Sequence, residues 1–136
     1  MNILFCLTPK EKVLCADPKM SVRQVLEKME QRIHTSIPIV SEEGLYVGTI
    51  SEGDILWFLK AQKTFDLKKL EQVNIMQIKR AKHNEAVSIN NEIEDIIEFL
   101  ENQTFVPVMD DRNVFIGIIT RKAIITYMKL LNKKMN

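Results

Sequence analysis

The stretches Thr35-Ser36-Ile37-Pro38-Ile39-Val40 and Thr104-Phe105-Val106-Pro107-Val108-Met109 are one pattern written twice. Pro38 recurs as Pro107, Gly48 as Gly117 and Ser51 as Thr120, all at an offset of 69, and Val47 and Ile50 recur as Ile116 and Ile119. Upstream, Val22, Val25, Leu26 and Met29 recur as Ile93, Ile96, Ile97 and Leu100 at an offset of 71, so a two-residue gap separates the matching blocks. Agreement at so many apolar positions marks an internal repeat.

Each copy reads alike. Val22, Val25, Leu26, Met29 and Ile33 form the stripe of an amphipathic helix with one buried face. Ser21 and Gln24 make a capping box at its start. Thr35 to Val40 then reads as a strand, with Pro38 pointing to a sheet edge or to the strand's first residues. Ser41 to Gly44 is turn chemistry, and Leu45 to Ile50 returns as the second strand of a hairpin. A second helix opens at Ser51 and carries Ile55, Phe58 and Leu59 inward. The second copy repeats this with a helix over 93–100, strands over 105–109 and 114–119, and a helix from Arg121. Short extended pieces at 13–15 and 85–87 precede the first helix of each copy, and 61–72 reads as a charged, partly helical connector. The expected fold is mixed α/β (α+β), two β-α-β-β-α motifs packed as a pseudo-twofold pair. The expected division is residues 1–69, with an N-terminal lead and the connector, and residues 70–136, with a basic C-terminal tail. One unit of about 55 residues exposes too much of its sheet to stand alone, so two copies bury their faces together.

These marks resemble a tandem pair of CBS motifs, a Bateman module. They are Thr35 to Val40 with Val47-Gly-Thr-Ile-Ser-Glu-Gly-Asp-Ile-Leu56, and Thr104 to Met109 with Ile116-Gly-Ile-Ile-Thr-Arg-Lys-Ala-Ile-Ile125. The resemblance spans roughly residues 11–128. It implies a non-catalytic module that binds adenine nucleotides or related adenosyl ligands in clefts built by both copies. On that basis Thr120, Arg121 and Lys122 share one cleft with Lys12, Leu14, His34, Thr35 and Ser36. Ser51 and Asp54 share the other with Glu85, Ala86, Gln103, Thr104 and Phe105. In the Ser/Thr-x-x-Asp element, hydroxyl and helix amides suit a phosphate and the carboxylate suits a ribose diol. The first copy has Ser51 and Asp54; the second keeps Thr120 but has Ala123 in place of the acid. Ser51 and Asp54 read equally as a plain helix cap.

Arg121 and Lys122 oppose the macrodipole at a helix start, a penalty of roughly 0.3–1 kcal/mol each that a bound anion removes. Lys12-Val-Leu14 and His34-Thr-Ser-Ile-Pro38, with Phe115 to Lys122 and a tail through Tyr127 to Lys133, resemble the small stand-alone cyclic-di-AMP-binding CBS proteins of Gram-positive bacteria. Cyclic di-AMP carries two phosphodiesters and no free 2′,3′ diol, so cations without a ribose carboxylate suit it better than AMP. The alternatives are an AMP/ATP sensor using Asp54, or a constitutive dimerisation scaffold with Trp57 and Phe58, or Tyr127 and Met128, at the contact. A sensor of this kind implies a regulated protein partner and a homodimer.

Composition narrows the rest. Of 136 residues, 46% are apolar and 27% charged, which fits a globular domain rather than disorder. Nineteen basic against eighteen acidic residues give a net charge of +1, so bulk charge offers no argument for nucleic-acid binding. The early apolar run from Ile3 to Leu7 is too short for a membrane span or a secretory segment. Two cysteines and two histidines show neither a disulfide framework nor zinc-ligand spacing. Without a nucleophile motif, a P-loop or a metal cage, catalysis, cofactors and metals are not expected. A soluble cytoplasmic protein is expected.

Overall fold

A computed structural model describes residues 2–32, 35–80 and 84–135, with Arg32 described by its backbone only. The chain divides into two compact units, Leu14–His83 and a discontinuous one made of Met1–Val13 with Asn84–Asn136. This corrects the expected division at 69/70: the lead belongs with the second copy, and residues 70–83 belong with the first.

In the first unit, α1 (Val22–Arg32) precedes a hairpin of β2 (Ser36–Val40) and β3 (Tyr46–Ser51), followed by α2 (Glu52–Gln62) and the short α3 (Leu67–Leu70). Ser21 and Gln24 form the expected box: Gln24 Oε1 accepts from the Ser21 amide at 2.9 Å and Ser21 Oγ from the Gln24 amide at 3.2 Å. Val22, Val25 and Met29 face Ile37, Ile39, Ile50 and Ile55 in the core. Leu70, Ile75 and Ile78 complete that core, which is why the connector stays with this unit. Its return is fixed by the Val22 amide on the Val73 carbonyl (2.8 Å) and the Ile75 amide on the Met20 carbonyl (3.0 Å). Ile33, the last residue of the expected stripe, lies outside the described residues.

The second unit holds a four-stranded sheet in the order β1 (Thr8–Pro9), β6 (Phe115–Thr120), β5 (Phe105–Met109), β4 (Val87–Ser88), with α4 (Ile93–Leu100) and α5 (Arg121–Met135). The extended pieces therefore fall at 8–9 and 87–88, with a single parallel bridge from Ala16 to Ile39 in the first unit, rather than at 13–15 and 85–87. A 3-10 turn at Ile3–Cys6 buries Ile3 and Cys6 among Ile96, Val106, Val108 and Ile119. Burial pushes the Cys6 thiol's pKa up.

The hairpins repeat in detail. Ser36 faces Ser51 and Phe105 faces Thr120, and both ladders shift register near their ends, at Ile39/Val40 and Val108/Met109. Each turn needs one left-handed residue, Gly44 (φ 88°) in one and Asn113 (φ 62°) in the other. Pro38 lies in β2, an edge strand of the two-stranded β2–β3 sheet as expected, whereas Pro107 does not lie at an edge. β5 lies between β6 and β4, and Pro38 lies between β3 and Ala16, whose amide donates to the Pro38 carbonyl at 2.9 Å. A residue's N and C=O point to the same side of a strand, so Pro38's missing donor faces the one-residue Ala16 bridge. The β3 ladder loses no bond.

The repeat breaks at the strand edges. Along β6, β1 runs antiparallel with Pro9 opposite Gly117, and a Cβ on Gly117 would overlap the Thr8 backbone carbonyl. At the equivalent Gly48 the space is taken by the Arg80 guanidinium, whose Nη1 is buried with no hydrogen-bond partner among the described residues. Gly117→Ala should therefore cost about 1–3 kcal/mol and lower the melting temperature by several degrees, because backbone must move. Gly48→Ala should change stability by less than about 1 kcal/mol, since a flexible side chain can swing aside. Paired thermal melts check the contrast; equal losses would contradict this account of the two edges.

Candidate functional site

Some of the residues singled out by sequence meet at two equivalent corners, one per unit, where the hairpin's second strand turns into a helix. At the first corner the α2 start is a reciprocal cap. Ser51 Oγ accepts from the Asp54 amide at 3.1 Å and Asp54 Oδ2 accepts from the Ser51 amide at 3.0 Å. Asp54 is buried at 7% exposure. Ser36 lies across the ladder from Ser51, and the Thr35 carbonyl accepts from the Glu52 amide at 2.8 Å. Thr35 and Ser36, expected to share a ligand with the second-copy helix, are thus the immediate neighbours of Ser51 and Asp54. The capping reading of Ser51-x-x-Asp54 is realised in full.

At the second corner Thr120 Oγ1 accepts from the Ala123 amide at 3.0 Å, half of the same box with no acid to return the bond. Phe105 lies across from Thr120 and is buried, with Thr104 exposed beside it. Arg121 is not simply a cation misplaced at a helix start. Its Nε donates to the Leu100 carbonyl at 2.7 Å, and Leu100 ends α4, where a cation is favoured by the dipole. That contact gives Arg121 a structural reason the sequence alone did not suggest. Lys122 remains exposed in the first turn of α5.

Two further expected residues resolve into framework. Gln103 is 8% exposed. Its Oε1 accepts from the Glu85 amide at 2.9 Å, while Nε2 donates to the Glu85 and Phe105 carbonyls at 3.0 and 2.9 Å. All of these bonds tie the segment before β4 to β5. Leu14 packs partly buried against the first unit's core. Lys12 is exposed in the turn after β1. β1 runs antiparallel to β6, so at Pro9 the chain heads toward the Phe115 end of β6, whereas Thr120 closes the other end. Ala86 is exposed just before β4. His34 lies outside the described residues. Sequence reading missed Arg80 altogether; nothing in its neighbourhood repeats a second-copy feature that would have flagged it.

Among the described residues no group of three or more His, Cys, Asp or Glu is placed to hold a metal ion, and no helix is long and apolar enough to cross a membrane. The family model for the CBS domain matches residues 6–61 and 80–130. The chain belongs to the CBS-domain family. Its two corners are the Ser/Thr-led helix starts of the two CBS motifs. Among solved structures it is similar to CbpB in complex with c-di-AMP, with TM-score 0.87 and 24% identity over 99% of this chain and 89% of that one. It is also similar to CbpB from Streptococcus agalactiae, with TM-score 0.80 and 26% identity over 93% and 79%. CBSX2 in complex with AMP matches with TM-score 0.76 and 23% identity over 96% and 98%. No curated protein matches the chain.

The caps generate an ordered set of stabilities for this CBS pair. Asp54→Ala removes an acceptor and a favourable N-terminal charge and should cost about 0.5–2 kcal/mol. Asp54→Asn keeps an acceptor oxygen and should cost less. Thr120→Val should cost about 1 kcal/mol. Urea unfolding of the three variants measures the order, and an Asp54→Ala variant as stable as the parent would remove the cap from the account.

Proposed function

We propose that the chain is a non-catalytic, cytoplasmic regulatory module that senses an adenine nucleotide, cyclic di-AMP before others, and changes its affinity for a partner protein on binding. The observation that carries this reading is the chemistry of the second corner. Helix amides and the Thr120 hydroxyl stand beside Lys122, with Ala123 where a diol-binding carboxylate would be. Such a corner favours a phosphodiester and has no group for a free ribose diol. Cyclic di-AMP has the first and lacks the second. Lys122 supplies the charge for the phosphodiester. Arg121 adds charge, its Nε being committed to Leu100. The similarity to CbpB with c-di-AMP supports the same ligand class.

A second reading places AMP or ATP at the Ser51–Asp54 corner, and the similarity to CBSX2 with AMP favours it. Against it, one Asp54 oxygen already holds the Ser51 amide, so a diol there competes with the cap. In either reading two copies pair through their exposed helix faces. Phe58 and Tyr127 are partly buried against their own cores, which leaves Leu56 and Trp57 on α2 and Ile125 and Met128 on α5 for that contact.

Thermal unfolding with cyclic di-AMP, AMP, ATP and S-adenosylmethionine tests the ligand. At about 100 times its dissociation constant a ligand adds roughly 2.7 kcal/mol, a rise of several degrees. The expected result is a rise with cyclic di-AMP that Lys122→Ala abolishes. A rise with AMP or ATP that survives Lys122→Ala and disappears in Asp54→Ala would move the function to the first corner. No rise with any of the four would overturn the nucleotide reading.

A further inference from the structure

The turn joining α2 to α3 is fixed by backbone and leaves its side chains outside. Lys63 ends α2 in a left-handed conformation (φ 55°). Its amide and that of Thr64 donate to the Lys60 and Leu59 carbonyls at 3.2 and 3.4 Å. Asp66 then caps α3, accepting from the Lys68 amide at 3.0 Å. Every residue from Lys60 to Lys69 is exposed except Thr64, which is half-buried. At the apex stands Phe65, 67% exposed and part of neither core. Around it are Lys60, Lys63, Lys68 and Lys69, none of which makes an ion pair among the described residues. The acids beside them in sequence are engaged, Asp66 in its cap and Glu71 with Arg23. The whole chain carries a net charge of only +1, so four lysines against one acid over 60–69 are a local concentration of charge.

An exposed aromatic on a projecting turn, ringed by lysines, fits a surface that is diffusely anionic outside and apolar beneath. A bilayer with anionic headgroups has that layering: the ring enters the acyl boundary while the ammonium groups stay among the phosphates. Lysine is a point charge on a flexible stem and suits scattered phosphates, whereas paired recognition of carboxylates on a protein favours arginine, which this turn lacks. We infer that the α2–α3 turn is a docking point for an anionic bilayer surface, with Phe65 as the wedge and the four lysines as the electrostatic anchor. The contact needs both parts, because stable anchoring without a membrane span takes two signals. Leu67 stays outside it, lining a groove with Glu30 and Glu52, whose charge an anionic surface repels. The docking point is independent of which nucleotide the chain binds.

Co-sedimentation of the full chain with lipid vesicles tests it. The chain should bind vesicles of phosphatidylcholine mixed with an equal share of phosphatidylglycerol, should leave vesicles of phosphatidylcholine alone in solution, and should be released by high salt. Phe65→Ser should weaken binding about tenfold, and Lys63→Glu with Lys68→Glu by more than about a hundredfold. All three positions are exposed, so the variants keep the parent's melting temperature. Lys129→Glu with Lys133→Glu, on α5, should bind like the parent. Trp57 is the single tryptophan, so a Trp57→Phe/Phe65→Trp chain carries its one indole at the apex, and its emission should move to the blue on the mixed vesicles. Binding as strong to the neutral vesicles, or binding unchanged by Phe65→Ser and by the lysine reversals, overturns the proposal. Loss of binding in the α5 variant with Phe65→Ser unaffected overturns the placement. Retention by immobilised polyglutamate without binding to the mixed vesicles assigns the turn to an acidic protein and overturns the bilayer, as does no binding to either.

Discussion

The hydroxyl that ends each hairpin is the interaction on which the rest of each unit depends. Ser51 and Thr120 each accept the amide three residues on, and in doing so turn a strand directly into a helix with no intervening loop. A chain that turns this sharply has its first helical amides pointing out over the sheet's end. The α2 and α5 axes are thereby set, and Ile55 and Ile124, one turn in, drop into their cores. The same bond sets the positive end of each helix dipole at the end of the hairpin. The cap is what the structure shows at both positions, and a binding reading of the same hydroxyls asks for nothing that the cap forbids.

The two corners have diverged around that shared bond. The first carries an acid that closes the cap upon itself; the second replaces it with Ala123 and surrounds it with cations, one of which reaches back to the end of α4. A closed cap is self-sufficient, whereas an open cationic one has valence left for an anion.

Much of this was legible in the sequence because the repeat supplied its own control. Apolar spacing placed α1 and α4 closely, and Ser41 to Gly44 and Asp110 to Asn113 announced their turns. Capping by Ser51 and Asp54 was one of two readings that their spacing offered, and the structure shows the box. What stayed hidden involves contacts between residues far apart in sequence. The bond from Arg121 to Leu100 joins the end of one helix to the start of another, and no periodicity encodes it. Pro107 misled where Pro38 did not: β2 is an edge strand of a two-stranded sheet, whereas β5 lies between β6 and β4. The division between units failed for a related reason: Thr8 and Pro9 pair with a strand more than a hundred residues away, and Leu70, Ile75 and Ile78 return to a core begun by Val22.

That division imposes an order of assembly on a growing chain. The unit spanning Leu14–His83 is contiguous, so every residue of its core is synthesised before the second unit's helices. Thr8 and Pro9 are made before that unit, yet belong to the one completed after it. Until Phe115 to Thr120 appear, Thr8 and Pro9 have no strand to pair with and Ile3 and Cys6 have no core to enter. This segment must therefore stay unpaired while the rest of the chain is made, and its capture by β6 completes the second unit's sheet.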